Sequence, residues 1–349
     1  MMKALRIMGV GRAELLEEPL PVLKADEVLV KVMASGICGT DYTIYTGVFS
    51  GVQNGRVKFP LRIGHEWSGV VESVGTDVAR FAPKDRVVGD GSFGCGKCEA
   101  CITGNIMACP GFRAVGTVNA WDGALSEYVV FPERALIHLP DGVGFTLGAL
   151  AEPVANALNA VQDARVSPHD NVLILGTGPI GMASVLLARL FGAKRVVTVG
   201  RSDKKLSLCK ELGATNCIHT GKEDLLAAID DLGCIDAAIE FSGNPQLFYA
   251  AVRALTPGGR LSIGALYEKP FPIDLDALVF KNITVTTVPG GSGAMRPVLS
   301  LMNSGRLNEL ESIVTDRYTL EEAAEALRLL KTNNENRVKA MVFCHGECK

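Results

Sequence analysis

Aromatic residues are scarce in this sequence, and it has neither a strong net charge nor a long apolar run. Aromatic side chains make up 6% of the 349 residues, and the formal net charge is only −3. This balance argues against nucleic acid as the main partner, because binding phosphates needs a basic surface. No apolar run reaches the roughly 18 residues of a membrane span, and the first residues lack the apolar core of a secretory signal. We therefore expect a cytoplasmic protein with no nucleic-acid or membrane partner.

Glycine and cysteine, by contrast, are plentiful, with 38 and 10 residues respectively. In a reducing compartment cysteines serve as thiols or metal ligands rather than as disulfides. The chain is longer than the ~100–200 residues of a typical domain, so we expect two domains.

The pattern of strands and helices changes twice along the chain. Residues 1–153 contain short strands separated by glycine and proline, which is typical of a β domain. In residues 154–292 apolar strands alternate with helical segments, which predicts a doubly wound parallel sheet. Residues 293–349 are mostly helical and end in the apolar run Val338–Phe343, which we expect to pair with the amino-terminal β domain. The predicted fold class is α/β, with a parallel-sheet domain inserted into a β-rich domain.

The segment 176–181 predicts a dinucleotide site. It matches G-x-G-x-x-G, follows the apolar strand Val172–Leu175 and precedes a helix, which is the arrangement of a pyrophosphate-binding turn. The helix amino terminus offers unpaired N–H groups to phosphates. The alternative is an ordinary glycine turn. The expected cofactor contacts are Gly176, Thr177, Gly178, Pro179, Ile180 and Gly181.

The end of the next strand distinguishes NADP from NAD. An NAD site usually carries an acidic residue there for the ribose hydroxyl, whereas this chain has Gly200 followed by Arg201 and Ser202. This set favours the 2′-phosphate of NADP, because glycine leaves room, the arginine guanidinium can bind phosphate through two N–H groups, and serine offers a hydroxyl. Lys205 adds positive charge. In the alternative, Arg201 stacks on the adenine of NAD, and Asp203 lies slightly displaced.

Four cysteines within 15 residues predict a closed metal site. Thiolates at this spacing can surround one tetrahedral Zn²⁺ and exclude water, so the ion would be structural. An iron–sulfur cluster is the alternative. The four residues are Cys95, Cys98, Cys101 and Cys109.

A second metal site is indicated by Cys38, His65 and Glu66. A mixed set of sulfur, nitrogen and oxygen ligands is what a catalytic zinc uses, with one position left open for water or a substrate oxygen. Asp41 lies three residues after Cys38. We expect its carboxylate to accept the second N–H of His65 and so fix the tautomer.

Together these motifs resemble the zinc-dependent medium-chain alcohol dehydrogenases, over essentially the whole chain. Gly64-His65-Glu66-x2-Gly69-x5-Gly75-x2-Val78 is similar to that family's signature. The Cys38-Gly39-Thr40-Asp41 turn, the four-cysteine lobe, Ala151-Glu152-Pro153 and the glycine-rich turn follow in the family's order. The likeness is nearest to polyol, sugar and threonine dehydrogenases, because Glu152 and not cysteine precedes Pro153. The resemblance implies a GroES-like catalytic domain and a Rossmann domain.

The resemblance also implies roles for single residues. The catalytic zinc would be bound by Cys38, His65 and either Glu66 or Glu152, which with the lobe gives two zinc ions per chain. Thr40 matches the hydroxyl that takes the substrate proton. The branch often has a relay histidine three residues later, where this chain has Thr43. We therefore expect the proton path to run through Thr43 and the cofactor ribose.

These features predict a zinc-dependent oxidoreductase that transfers a hydride between a secondary alcohol (a polyol, sugar or cyclitol) and NADP(H). The alternatives are an NAD-linked dehydrogenase of a sugar alcohol, sugar acid or threonine-like substrate and, more remotely, a non-catalytic dinucleotide-binding protein. The strand Thr284–Val288 is expected at an exposed sheet edge, where pairing with a second chain gives a homodimer or homotetramer. The aromatic residues that either line the substrate pocket or pack in the β core are Tyr45, Phe49, Trp67 and Trp121.

Overall fold

Three chain segments build two structural units in the computed structural model, which describes residues 1–332 and 336–345. The first unit consists of Met1–Glu152 and Met295–Lys349, and the second of Pro153–Ala294. Within the described ranges, no helix has both the length and the apolar character needed to cross a membrane.

The first segment forms mainly short strands, as its glycine and proline turns predict. Its strands are β1 (Met2–Gly9), β2 (Arg12–Glu18), β3 (Glu27–Ile37), β4 (Leu61–Arg62), β5 (Glu66–Val74), β6 (Arg86–Gly89), β7 (Ser92–Phe93), β8 (Arg113–Ala114), β9 (Tyr128–Pro132) and β10 (Leu136–His138). Its α-helices are α1 (Gly39–Thr46), α2 (Ser50–Gln53), α3 (Glu99–Ile102) and α4 (Phe145–Ala149).

The middle segment alternates strands with helices. Its helices are α5 (Ala151–Asp163), α6 (Pro179–Leu190), α7 (Asp203–Glu211), α8 (Leu225–Asp230), α9 (Pro245–Ala254) and α10 (Leu275–Phe280). Its strands are β11 (Asn171–Leu175), β12 (Arg195–Gly200), β13 (Asn216–His219), β14 (Ile235–Glu240), β15 (Leu255–Ile263) and β16 (Thr284–Thr287). The helix α5 begins in the last residues of the first unit and continues into the second.

The last segment is less helical than its sequence predicts. It forms α11 (Met295–Asn303), β17 (Val314–Thr319), α12 (Ala323–Arg328) and β18 (Lys339–Phe343). The sequence pattern does not predict strand β17. This short stretch is extended because it pairs in parallel with β18, a contact that the local sequence does not reveal. The pairing of the final strand with the amino-terminal domain is confirmed, since β18 lies antiparallel to β3.

The long strand β3 organises the main sheet of the first unit. It pairs antiparallel with β5, β9 and β18. The order across the sheet is β10-β6-β5-β3-β18-β17, with β9 also paired to β3. Smaller sheets of order β2-β1-β4 and β7-β8 complete the strands of this unit.

The six-stranded sheet of the second unit is parallel throughout, in the order β13-β12-β11-β14-β15-β16. From β11 the chain runs outward to β13, and from β14 it runs outward in the other direction to β16. Doubly wound folds bind nucleotides beyond the carboxyl ends of the strands at such a reversal. The predicted doubly wound sheet is confirmed, and its last strand β16 lies at an edge, as expected.

Aromatic side chains pack in the core of the first unit. Trp67 is only 1% exposed and lies edge-to-face against Phe131 with ring centroids 4.9 Å apart. Trp121 packs on Phe93 and donates its indole N–H to the carbonyl of Val130 at 2.7 Å. Trp67 is therefore a packing residue, whereas Trp121 packs on the core and remains partly exposed. Tyr45 and Phe49 are partly buried against the same core.

Candidate metal centres and cofactor site

The four lobe cysteines converge on one point. The sulfur atoms of Cys95, Cys98, Cys101 and Cys109 all lie within 4.8 Å of one another. Four sulfurs at ~2.3 Å from one tetrahedral zinc would be ~3.8 Å apart, so the set fits a single ion after a small contraction. An iron–sulfur cluster places its thiolates on different iron atoms and needs a wider spread. The geometry favours a closed zinc site.

Backbone N–H groups already point at these sulfurs. Cys109 Sγ accepts N–H groups from Cys95 at 3.2 Å and Gly111 at 3.3 Å, and Cys101 Sγ accepts that of Gly96 at 3.3 Å. Such donors favour the thiolate form. The backbone N–H groups of Lys97 and Cys98 likewise lower the pKa of Cys95 to about 6. These N–H groups therefore favour thiolates at Cys95 and Cys109, whose pKa values are lowered.

The register of β3 and β5 builds the second cluster. Gly36 lies opposite Glu66 in this antiparallel pair, so the residues just after β3 meet those at the start of β5. Cys38, His65 and Glu66 each bring one ligand atom within 4.8 Å of the others. His65 is 8% exposed and Glu66 1%. This sulfur, nitrogen and oxygen set fits one zinc ion and leaves room for a further ligand.

A buried carboxylate lies next to Cys38 and His65. Asp41 is fully buried, and its Oδ2 accepts the backbone N–H of Cys38 at 2.8 Å. Its Oδ1 lies 3.6 Å from His65 Nδ1, and both atoms are buried without a hydrogen-bond partner. Burial alone would lower the pKa of His65, but the charges of Asp41 and Cys38 outweigh burial and raise that pKa well above its usual value. A metal ion bound to Nε2 of His65 would take the place of a proton on that nitrogen. The Nδ1–H group would then donate to Asp41.

The two candidate glutamates stand in different places. Glu66 belongs to the set within 4.8 Å, whereas Glu152 lies in the first turn of α5 and is not part of that set. Glu152 nevertheless acts on the cluster, because its negative charge contributes to the raised pKa of His65. Among the described residues, Glu66 is therefore the glutamate that the fold brings together with Cys38 and His65.

The two threonines of α1 differ in what their side chains do. Thr40 lies two residues after Cys38 and is half-buried. The hydroxyl of Thr43 donates to the backbone carbonyl of Thr40 at 3.0 Å. Because its proton is used within the helix, this arrangement gives no support to a relay through Thr43.

The three glycines of the turn meet three separate steric demands. Gly176 has φ +109°, and a side chain there would press on the backbone of Phe241. A Cβ at Gly181 would overlap the carbonyl oxygen of Gly176, so this glycine lets α6 pack closely on β11. A Cβ at Gly178 would meet nothing within 4 Å. The turn therefore leaves open space at Gly178, beside the amino terminus of α6, where a pyrophosphate would lie.

The tip of β12 lies in close contact with the glycine-rich turn. A Cβ at Gly200 would lie 2.5 Å from Thr177 Cγ2 and 2.9 Å from Thr177 Oγ1, so a side chain at position 200 would press on Thr177. That a 2′-phosphate fits beside Gly200 stays a prediction. Ser202 is buried and caps α7, Arg201 is exposed, and Lys205 is half-buried.

Asp203 is engaged by neighbouring cations. Lys222 Nζ lies 2.7 Å from both carboxylate oxygens, and His219 Nε2 lies 3.8 Å from Oδ1. The hydrogen bond and charge of Lys222 lower the pKa of Asp203. The carboxylate that follows β12 is thus paired and exposed, and it does not stand at the strand tip.

Sequence reasoning missed one buried carboxylate beside the glycine-rich turn. Glu240, the last residue of β14, is fully buried. It accepts the N–H groups of Ser242 at 2.6 Å and Gly243 at 3.1 Å and the hydroxyl of Tyr267 at 2.8 Å. The signal available was an acidic residue closing an otherwise apolar strand before Ser242-Gly243. Glu240 holds the loop that follows β14 at the point where the strand order reverses.

Comparison with known proteins identifies the family. Residues 24–141 match the alcohol dehydrogenase GroES-like domain, and residues 179–304 match the zinc-binding dehydrogenase domain. The chain is 34% identical to L-threonine 3-dehydrogenase from Bacillus velezensis, over 91% of this chain and 92% of that protein. The chain belongs to the zinc-dependent medium-chain alcohol dehydrogenases. This dehydrogenase is also 31% identical to sorbitol dehydrogenase from Bacillus subtilis, over 93% of this chain and 92% of that protein.

A solved structure extends the comparison to the whole fold. A zinc-binding dehydrogenase from Sinorhizobium meliloti, bound to NADP, has a TM-score of 0.91 and 30% identity, covering 99% of both chains. The expected family, its polyol and threonine branch, and the GroES-like and Rossmann architecture are confirmed. The chain is a zinc-dependent alcohol dehydrogenase, and the non-catalytic alternative loses its basis.

We predict that Cys98→Ser removes the lobe zinc. Three thiolates leave the tetrahedral site open, so metal content should fall by one ion per chain and stability by at least ~2 kcal/mol, as for other lost metal sites. Metal analysis and thermal unfolding measure both, with the exposed thiol variant Cys234→Ser as control. A Cys98→Ser protein that keeps its zinc and stability and loses only turnover would contradict a structural role.

Proposed function

We propose that this dehydrogenase oxidises a secondary alcohol of the polyol, sugar or cyclitol class with NADP⁺. The observation that carries the proposal is the set of Cys38, His65 and Glu66 backed by Asp41, in a chain that also has the glycine-rich turn. A secondary alcohol and NADP⁺ give a ketone, NADPH and a proton. The named activities of the relatives, on threonine and sorbitol, are both oxidations of a secondary hydroxyl group.

The chain's own residues have distinct tasks in this reaction. Bound zinc would supply a Lewis acid that lowers the pKa of the alcohol, and NADP would supply the hydride acceptor. Cys38, His65 and Glu66 hold the metal, and Asp41 fixes the tautomer of His65. The hydroxyl of Thr40 would accept a hydrogen bond from the substrate hydroxyl and pass the proton on to solvent through a hydrogen-bonded chain.

The cofactor preference rests on the charges that follow β12. Arg201 offers two donors in one plane, which suits a phosphate. Asp203 would repel a 2′-phosphate if unpaired, but Lys222 neutralises it at 2.7 Å. The positive charges of Arg201 and Lys205 then determine the local field. The NADP in the Sinorhizobium structure belongs to that relative, so the argument stands on these residues.

The kinetic test compares both cofactors. We predict that kcat/KM favours NADP⁺ over NAD⁺ by at least about tenfold, since a charge-assisted contact contributes ~1.5–3 kcal/mol. Arg201→Leu should remove most of that preference, while Lys210→Leu, an exposed position near the end of the following helix α7, should not. An acidic residue at position 200 is a poor test, because it would press on Thr177. A wild type that prefers NAD⁺ would make Arg201 an adenine-stacking residue and overturn the assignment.

The substrate class is tested in the same assay. Polyols, cyclitols, sugar acids, L-threonine and simple secondary alcohols are compared with NAD⁺ and NADP⁺. Highest kcat/KM with a polyol, sugar or cyclitol supports the proposal. Highest kcat/KM with L-threonine supports the second candidate function, a dehydrogenase of a threonine-like substrate, which the 34% identical relative favours.

The proposed quaternary structure is a homodimer or a homotetramer. The edge strand β16 exposes Val285, and the nearby helix α10 exposes Leu275, Val279 and Phe280 at 65%, 73% and 87%. An unpaired edge beside exposed apolar side chains favours pairing with a second copy.

We predict that Phe280→Asp weakens this assembly. A charge placed in an apolar interface must be desolvated when the copies associate. Light scattering at micromolar concentration should show a dimer or tetramer for the wild type and a smaller species for the variant. Leu226→Asp, also exposed in the second unit, is the control and should not change the mass. A monomeric wild type would rule the assembly out.

The cytoplasm is the proposed location. The nine cysteines of the described ranges are free thiols, and two metal clusters depend on them. Thiols of this kind persist in a reducing compartment. Cell fractionation with an antibody to the chain tests the location.

A further inference from the structure

A buried lysine contacts the catalytic cluster. Lys339, the first residue of β18, is 3% exposed. Its Nζ donates to a carboxylate oxygen of Glu66, Oε2, and to the carbonyl of Ile37 at 3.2 Å. Lysine is rarely buried unless it is paired. The Lys339–Glu66 pair joins residues 273 positions apart in the chain, so it forms only when the last segment returns to the first.

The sheet register fixes the lysine next to the metal ligands. Ala340 lies opposite Ile37 in the antiparallel β18–β3 pair, which places Lys339 beside Cys38. Its ammonium group contacts the Glu66 carboxylate, and the charge of Cys38 also acts on it. A zinc ion on the same ligands would share this carboxylate with the lysine.

A glycine makes room for the same carboxylate oxygen. A Cβ at Gly36 would overlap Glu66 Oε2, so only glycine lets this oxygen lie against β3. Gly36 and Lys339 therefore act on the same oxygen. The two together determine which way the Glu66 carboxylate is turned.

We propose that Lys339 is a positioning residue that restricts Glu66 to a weak, one-oxygen ligand of the zinc. The inference rests on the proposed zinc site. By holding Oε2, Lys339 keeps Glu66 from presenting both oxygens to the metal. The lysine charge also opposes the metal charge and so weakens the bond between Glu66 and the metal. A weak, one-oxygen Glu66 ligand leaves a coordination position for a substrate oxygen.

This role predicts a gain of zinc affinity when the lysine charge is removed. In the empty site of Lys339→Met, the Glu66 carboxylate is buried without its cation, which is costly. Zinc would relieve that cost and could take both oxygens. We expect zinc affinity at the Cys38 site to rise at least about tenfold, which is ~1.4 kcal/mol. The unfolding temperature of the zinc-free protein should fall more than that of the zinc-loaded protein. A lysine that only supports the fold would lower both temperatures alike and leave affinity unchanged or weaker.

The experiment is a zinc titration in competition with a chromogenic chelator. It uses the full chain with its lobe zinc in place, and Cys38→Ala identifies the phase that belongs to the catalytic site. Lys339→Arg keeps the charge and should retain wild-type affinity. Lys31→Met removes a lysine from the same sheet without touching the cluster and serves as the matched control. Cobalt in place of zinc gives a second readout, since a two-oxygen Glu66 raises the coordination number and weakens the visible d–d bands.

A double variant shows whether Glu66 carries the effect. In a Glu66→Gln background the added Lys339→Met should give no gain, because no unpaired carboxylate remains. If Lys339→Met fails to fold, Lys339→Gln takes its place, since its amide can still donate to the Ile37 carbonyl. Unchanged or weaker zinc binding in the folded neutral variant would overturn the positioning role. If Cys38→Ala binds as much zinc as the wild type, the proposed zinc site is wrong, and the positioning role is wrong with it.

Discussion

The catalytic cluster depends on the antiparallel pairing of β3 with β5. The register that sets Gly36 against Glu66 brings Cys38 to His65, although 27 residues separate them in the chain. A shift of one residue would turn every side chain of the shifted strand to the opposite face and dismantle the cluster. The buried core on β3 and β5, from Val28 to Trp67, holds this register.

Burial of so many polar groups makes sense only for a cluster that binds a cation. Asp41 and Glu66 are both buried, and unpaired carboxylates in such surroundings are costly. Lys339 offsets part of this negative charge, and the unpartnered Asp41 Oδ1 and His65 Nδ1 lie 3.6 Å from each other, which leaves the other ring nitrogen of His65 for a metal. The second unit shows a similar difference between a binding site and a packing site. A Cβ at Gly178 would meet open space, whereas a Cβ at Gly200 would press on Thr177.

Local motifs could be read from the sequence, and long-range contacts could not. The glycine-rich turn, the lobe cysteines and the doubly wound sheet follow from short spacing and strand–helix alternation. The contact between Thr177 and Gly200 could not be foreseen, since it joins the ends of two neighbouring strands that are far apart in the chain. Lys339 was missed for a similar reason, because it precedes an apolar strand and its partner Glu66 is far away in the chain. The unexpected strand β17 is extended only through its pairing with β18.

Anomalous diffraction at the zinc edge, from crystals grown with zinc, tests the central claim most directly. The account predicts two peaks per chain, one among Cys95, Cys98, Cys101 and Cys109 and one bound by Cys38, His65 and a single oxygen of Glu66. A single peak in the lobe, with the Cys38 cluster empty at saturating zinc, would contradict it.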